Sequence, residues 1–253
     1  MAWFLGPRVV AAGHECLGVY SRNKDAAEEL AAELHTQILA GPENIAECAP
    51  ELILLAVPDD ALTTLASQLA AAGSVLMHMA GSVSLDALGS APEHRAVFWP
   101  VYSIRKGQFP AHRSIPSLYE GSTERAVVTA AEVARSVTDM YTQASFEQRR
   151  WLHLCAVITN NFTNHLLDIC ERISEAQHLP EAYLKPILQQ TIDHFGRVPL
   201  STVQTGPAAR ADRKTLEGHE LMLQGHPAWK AVYEAISASI MGDQVPPDEK
   251  MAL

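Results

Sequence analysis

Three asparagines and a histidine are concentrated in one predicted helix, residues 146–175. His153, Asn160 and Asn164 fall on one stripe of this helix at about 100° per residue, with Asn161 beside it. Asparagine is a weak helix former, so the cluster needs a reason. Amide and imidazole groups can face an atom that gains negative charge during hydride transfer. Asn161, Asn164 and His153 are therefore catalytic candidates, and Asn160 is a candidate substrate contact. The alternatives are a buried polar network between helices or a solvated face.

The segment QTGPAARAD at 204–212 is a second candidate, because its composition is typical of a loop that opens a helix. Free N–H groups at a helix start bind anions, and an arginine adds positive charge. His219, on the helix that follows, is the fourth catalytic candidate. The structural alternative is an ordinary capped turn in which Arg210 pairs with Asp212. The predicted substrate contacts in this segment are Thr205, which can cap the helix, Gly206 and Arg210.

Strand-like and helix-like segments alternate in the first half of the sequence, which is typical of a parallel sheet covered on both faces. Predicted strands cover 16–20, 51–57, 74–80 and 96–99, and predicted helices cover 1–12, 25–35 and 60–72. In such folds, ligands bind beyond the carboxyl ends of the strands. The predicted cofactor-binding residues at those ends are Ser21, Arg22, Asn23, Val57, Pro58, Gly81 and Ser82.

The turn after the first of these strands favours NADP over NAD. NAD-binding folds usually place an acid there to hold the ribose hydroxyls, whereas this sequence has Ser21, Arg22 and Asn23. A guanidinium binds phosphate through paired donors, which suits the 2′-phosphate of NADP. The alternative is a polar turn capped by Asn23 or Asp25. No GxGxxG turn occurs in the sequence. About ten to twelve upstream residues would supply a first strand and that turn, so either the gene begins further upstream or the protein lacks them.

Composition limits the classes of function. Hydrophobic residues make up 47% of the 253 and charged residues 19%, which is enough for a packed core. A net charge of −10 makes a nucleic-acid partner a poor fit. No apolar run approaches the ~20 residues that span a bilayer, and no secretory cleavage site is evident, so we expect a cytoplasmic protein with no membrane partner. The four cysteines form no CxxC pair, and no metal site is predicted.

These segments together resemble a family of Rossmann-like proteins that carry a C-terminal domain of unknown function 2520 and are described as NADP-dependent oxidoreductases. The most specific likenesses are NNFTNHL at 160–166 and QTGPAARAD at 204–212, with HLCAV at 153–157 before the first. Weaker ones are AAGHE at 11–15, VYSRN at 19–23, LLAVPDDAL at 54–62, HMAGS at 78–82 and FWPVYS at 98–103. Members normally open with a strand and a G-x-G-N turn, and many have His or Tyr where this sequence has Trp99.

The resemblance implies an α/β Rossmann-like parallel sheet, truncated at its N-terminus here, followed by an all-α C-terminal domain. The expected division is a dinucleotide-binding domain at 1–121, a helical substrate and dimerisation domain at 122–241 and a flexible tail at 242–253. The family is similar in plan to pyrroline-5-carboxylate reductase, 6-phosphogluconate dehydrogenase and ketopantoate reductase. It implies NADP as cofactor and a homodimer through the helical half, which the long apolar stripes of that half also favour.

The predicted function is therefore an NADPH-dependent reductase of a small carbonyl or imine substrate, with an anionic 2-keto acid of the ketopantoate type as one option. The alternative is a non-catalytic dimeric protein that binds a nucleotide or metabolite, which the missing glycine-rich turn favours.

Overall fold

The computed structural model describes residues 1–69 and 73–242, and the chain divides into two compact units. The first is Met1–Asn161 and the second is Phe162–Leu253. The boundary predicted at 121/122 lies inside the first unit, because residues that follow it add a helix and a strand to the sheet. Residues 243–253, which include nearly all of the predicted flexible tail, lie outside the described residues.

A mostly parallel sheet forms the centre of the first unit. Within the described residues, its strands are β1 Leu52–Leu55, β2 Val75–His78, β3 Arg95–Pro100, β4 Ser117–Gly121 and β5 Tyr141–Gln143, which lie in that order across the sheet. The first three are parallel to one another, as predicted. β4 runs antiparallel to β3, and β5 runs parallel to β4. The sequence did not predict these last two strands.

The strand predicted at 16–20 is largely wrong. Only Val19 takes part in β-structure, through a single parallel bridge to Ile38. Within the described residues, β1 is an edge strand that pairs only with β2.

Helices cover both faces of this sheet. Among the described residues, the α-helices of the first unit that precede residue 146 are α1 Ala2–Ala11, α2 Lys24–Glu33, α3 Pro42–Glu47, α4 Leu62–Leu69 and α5 Glu124–Val137. α1 and α5 pack on one face, where Phe4, Met77 and Phe98 are fully buried, and α4 packs on the other against Ile53 and Leu76. This arrangement confirms the predicted α/β class.

The long helical segment predicted at 146–175 exists but is not a regular α-helix. α6 Phe146–Ala156 is followed by a π-helix, Val157–Phe162, and then by α7 Thr163–Ala176. A π turn bonds residue i to i+5 and takes up an extra residue. The stripe drawn at 100° per residue therefore does not hold through Asn160 and Asn161, which corrects the predicted alignment with His153.

The second unit is helical in its described part, as predicted. Its remaining α-helices are α8 Lys185–His194, α9 Arg213–Met222 and α10 Pro227–Gly242. Of the helices that the structure describes, none combines the length and apolarity needed to cross a membrane.

Candidate active site

Two of the predicted cofactor-binding turns lie at the same edge of the sheet. β1 and β2 are parallel neighbours, and Leu55 pairs with His78 at their carboxyl ends. Val57 and Pro58 follow the first strand, and Gly81 and Ser82 follow the second. This is the edge at which ligands of open α/β sheets bind.

His153 packs against the turn that follows β2. A Cβ atom at Gly81 would lie 2.7 Å from Cδ2 of His153 and 2.6 Å from Cε2 of Trp99, so no other residue fits without movement. The His153 and Trp99 rings are in contact, with centroids 5.6 Å apart and planes tilted by 49°. Trp99 is buried, whereas His153 is half-exposed. The structure thus places His153, a predicted catalytic residue, in contact with Gly81, a predicted cofactor-binding residue.

The turn after β2 is also held by Arg149, which the sequence analysis missed. Its side chain is fully buried. Nη1 donates to the carbonyl oxygens of Ala80 at 3.1 Å, Gly81 at 3.0 Å and Val83 at 2.6 Å. Nη2 donates to Oε2 of Glu120 on β4 at 2.8 Å. One signal was available, since Arg149 is four residues before His153 and shares its helix face.

His78, the last residue of β2, supports the same turn from inside the sheet. It is fully buried, and its Nδ1 accepts a hydrogen bond from the Ala80 N–H at 3.2 Å. The ring proton is therefore assigned to Nε2. Burial and the nearby Arg149 charge lower the pKa of His78 to about 4, and the Ser84 backbone opposes the shift only in part. His78 is neutral at pH 7 and is a structural acceptor rather than an acid.

The predicted 2′-phosphate turn leads into α2. Asn23 is its N-cap, with Oδ1 accepting from the Ala26 N–H at 3.1 Å, and the Ser21 hydroxyl accepts from the Asn23 N–H at 3.2 Å. Asp25 lies in the first turn instead of capping it. Arg22 is exposed and makes no hydrogen bond or ion pair with any described residue. Its guanidinium is thus available to an anion, while Ser21 and Asn23 shape the turn.

The asparagine cluster is exposed. Asn160 and Asn161 lie on the π-helix, and Asn164 lies in the first turn of α7. All three side chains are open to solvent, and none has a hydrogen bond to another described residue. In the described chain the three side chains therefore form no buried polar network, and a solvated face stays as the structural alternative to a substrate site. π turns are frequent at functional sites.

His219 and the 204–212 segment lie in the second unit. His219 Nδ1 shares a hydrogen bond of 2.8 Å with the Tyr233 hydroxyl, which joins α9 to α10. Thr205 was predicted to cap the following helix, but Asp212 does so, accepting from the N–H of Thr215 at 3.2 Å and from its hydroxyl at 2.8 Å. These bonds, and to a smaller extent the charge of Arg210, lower the pKa of Asp212. Since a carboxylate occupies this helix start, it is a poor site for an anion. Thr205, Gly206 and Arg210 precede it in the loop, where Gly206 has a φ of 104°.

Comparison with known proteins identifies a family domain and similar folds. Residues 115–240 match a domain of unknown function, DUF2520. A protein from Bacteroides fragilis named "putative NADP oxidoreductase" is 28% identical with a TM-score of 0.83, over 95% of this chain and 94% of that one. A Thermotoga maritima protein is 23% identical with a TM-score of 0.72, over 93% and 94% of the two chains. An imine reductase from Streptomyces aurantiacus is 15% identical with a TM-score of 0.67, over 93% and 88%. No curated protein matches the sequence.

Proposed function

We propose that this chain, a Rossmann-like protein that carries the domain of unknown function 2520 at residues 115–240, is an NADPH-dependent reductase of a small carbonyl or imine substrate. The observation that carries the proposal is the contact of His153 with Gly81 at the carboxyl end of β2. It puts a proton-carrying side chain at the sheet edge where this class of fold binds its ligand. The name and the fold of the Bacteroides fragilis protein support the same class of reaction.

The residues present fit two parts of the cofactor. Arg22, exposed and unpaired among the described residues, suits the 2′-phosphate, and residues 21–23 contain no acid that would favour NAD. Gly81 and Ser82, with Val57 and Pro58 after the neighbouring strand, would border the nicotinamide end. When bound, NADPH would supply the hydride.

His153 is the proposed proton donor. As the carbon of a C=O or C=N group accepts a hydride, the π electron pair moves to oxygen or nitrogen, and that atom takes a proton. The half-exposed imidazole can deliver the proton while Trp99 packs against the other parts of its ring. The exposed amide of Asn161 on the π-helix is the proposed hydrogen-bond donor to the substrate.

Several candidates rest on the sequence alone. Asn160, at the end of the first unit, remains a proposed substrate contact, and Asn164 in α7 remains a proposed catalytic residue. His219 is a weaker catalytic candidate because it is hydrogen-bonded to Tyr233. Thr205, Gly206 and Arg210 are proposed to lie near the substrate, with Arg210 as the partner of an anionic group. A 2-keto acid of the ketopantoate type is accordingly the first substrate to test. We also propose that the protein is a cytoplasmic homodimer.

The test is a pair of measurements on the purified chain. Titration with NADPH and NADH, followed by the fluorescence of the reduced nicotinamide, should show tighter binding of NADPH. NADPH should then be consumed with at least one member of a panel of 2-keto acids and imines. Failure to bind either cofactor would contradict the proposal. Binding of NADPH with no turnover on any member would favour a non-catalytic binding protein.

A further inference from the structure

Arg149 is the largest fully buried side chain in the described part of the chain. Arginine is almost never fully buried unless it is paired, because removing a guanidinium from water is costly. Its Nε, moreover, is buried without a hydrogen-bond partner among the described residues. An apolar side chain would fill this space without such a cost. Positions that break a folding rule in this way are expected near functional sites.

The acceptors of Arg149 are concentrated on one turn. One nitrogen, Nη1, donates to the carbonyl oxygens of Ala80, Gly81 and Val83, so three carbonyl dipoles converge on a single positive charge. Without the cation these dipoles would repel one another, and the turn would open. Glu120 accepts from Nη2 and balances the charge from β4. The guanidinium thereby connects α6, β4 and the turn after β2.

The same side chain determines where His153 lies. Arg149 and His153 are one helical turn apart on α6, and both meet Gly81, the first through its carbonyl and the second through its ring. Fixing the Gly81 carbonyl to α6 therefore also fixes the distance between the His153 ring and the Gly81 backbone. Displacement of about 1 Å at a reacting centre can reduce a rate by about 10²-fold.

We infer that Arg149 is a positioning residue, which holds the Ala80–Val83 turn and the His153 ring in the one arrangement that hydride and proton transfer require. This inference rests on the proposed function. Arg149 acts through the turn and through His153, and it touches neither substrate nor cofactor. Prearranged backbone of this kind does not need to reorganise when the ligand binds.

The test compares Arg149→Met with Arg150→Met. Arg150 is the matched control, because it is adjacent and exposed, and its described partners, Glu147 and the Phe146 ring, lie on the same helix. Backbone amide exchange of residues 79–85 in the free protein should rise by about tenfold or more in Arg149→Met alone, with helices of the second unit unchanged. For the substrate that the panel of 2-keto acids and imines identifies, kcat should fall by about 10²-fold. Binding of adenosine 2′,5′-bisphosphate, which probes only the end of the site near Arg22, should stay within about twofold of wild type.

Two further variants keep the inference testable if Arg149→Met does not fold. Arg149→Lys keeps the charge but lacks the planar fork, so its exchange and kcat should lie between those of wild type and Arg149→Met. Glu120→Gln keeps the guanidinium and should raise exchange of residues 79–85 to a smaller extent. Unchanged exchange in these variants, or a rise spread evenly over the whole chain, would overturn the inference. If the wild type binds neither NADPH nor adenosine 2′,5′-bisphosphate, the proposed function fails, while the exchange measurement still decides whether Arg149 holds the turn.

Discussion

Among single residues, His153 differs from the other predicted catalytic side chains because it meets the predicted cofactor edge within the first unit. Replacement by asparagine removes the proposed proton donor. We expect kcat/KM to fall by about 10²- to 10⁴-fold, with little change in melting temperature, because the ring is half-exposed. Steady-state kinetics and a thermal melt measure the two effects. The control is His178→Asn, because His178 is exposed and lies two residues after α7. Unchanged kinetics in His153→Asn would exclude it as the donor.

Arg22 should discriminate between the two nicotinamide cofactors. Arg22→Ala removes the only charge proposed for the 2′-phosphate, so NADPH binding should weaken by about 1–3 kcal/mol and NADH binding should barely change. Calorimetric titration of each cofactor measures the difference. Lys24→Ala, which removes an exposed charge two residues away, is the matched control. Equal losses for NADPH and NADH in Arg22→Ala would show that the assignment is wrong.

His78 makes the stability of the first unit depend on pH. Its pKa is about 4 in the folded chain, whereas a histidine in an unfolded chain has a pKa of about 6.5, so only the unfolded state takes up the proton between these values. The free energy of unfolding is therefore highest above about pH 6.5. It decreases as the pH falls towards 4, by roughly 3 kcal/mol in total. Denaturant unfolding across this range should show the loss. The variant His78→Asn keeps an acceptor for the Ala80 N–H. Its free energy of unfolding should change less steeply with pH than that of the wild type. An unchanged slope in that variant would contradict the assignment.

At the scale of elements, the sequence was informative where a segment is buried on both faces. LILL in β1 and VLMH in β2 are apolar runs of strand length, and both were predicted. β5 has only three residues, two of them exposed, and hydrophobic pattern alone does not separate it from a loop. The segment at 16–20 has the composition of a strand, but strand formation depends on a neighbour, and Val19 bridges only Ile38.

The site was predictable only in part, for a similar reason. Gly81 and His153 were identified from strand ends and helix pattern. The burial of Arg149 depends on carbonyl groups that lie far away in the sequence, and the run QRR at 148–150 resembles a solvated helix start. The π turn arises from the hydrogen-bond pattern of the backbone, which residue periodicity does not encode. Long-range contacts and backbone irregularity were the two kinds of information that the sequence pattern lacked.

The N-terminus of α6 is important because this helix carries both Arg149 and His153. Ser145 and Gln148 form a capping box there, each side chain accepting from the backbone N–H of the other. Ser145→Ala should lower the free energy of unfolding by about 1 kcal/mol, which corresponds to a melting temperature lower by roughly 2–4 °C in a chain of this size. Ser145→Asp, which keeps an N-cap acceptor, should retain most of the stability. Equal melting temperatures for wild type and Ser145→Ala would contradict this assignment of the cap.

At the scale of the whole molecule, many large apolar side chains of the described residues are exposed. In the first unit they include Trp151, Leu154 and Ile158, which lie on α6 and the π-helix. In the second unit, Ile187 on α8 is 64% exposed and Phe195, which follows α8, is 67% exposed. Single exposed apolar residues are normal, but soluble monomers rarely expose them in such number on neighbouring turns. In the predicted homodimer, a second copy of the chain would cover these apolar side chains.

We expect a twofold dimer to cover these helices. Light scattering of the folded protein at roughly tens of micromolar should give twice the mass of one chain, because burial of the apolar side chains stabilises association. Ile187→Glu should shift the protein towards the monomer, since an interface would have to bury an unpaired charge. Ile38→Glu is the control: Ile38 is 50% exposed and lies outside the predicted dimerisation domain at 122–241, so the variant should remain dimeric. A wild-type monomer at this concentration would refute the dimer. Dissociation by both variants would refute the assignment of the interface to residues 122–241, because the interface would then include the surface around Ile38.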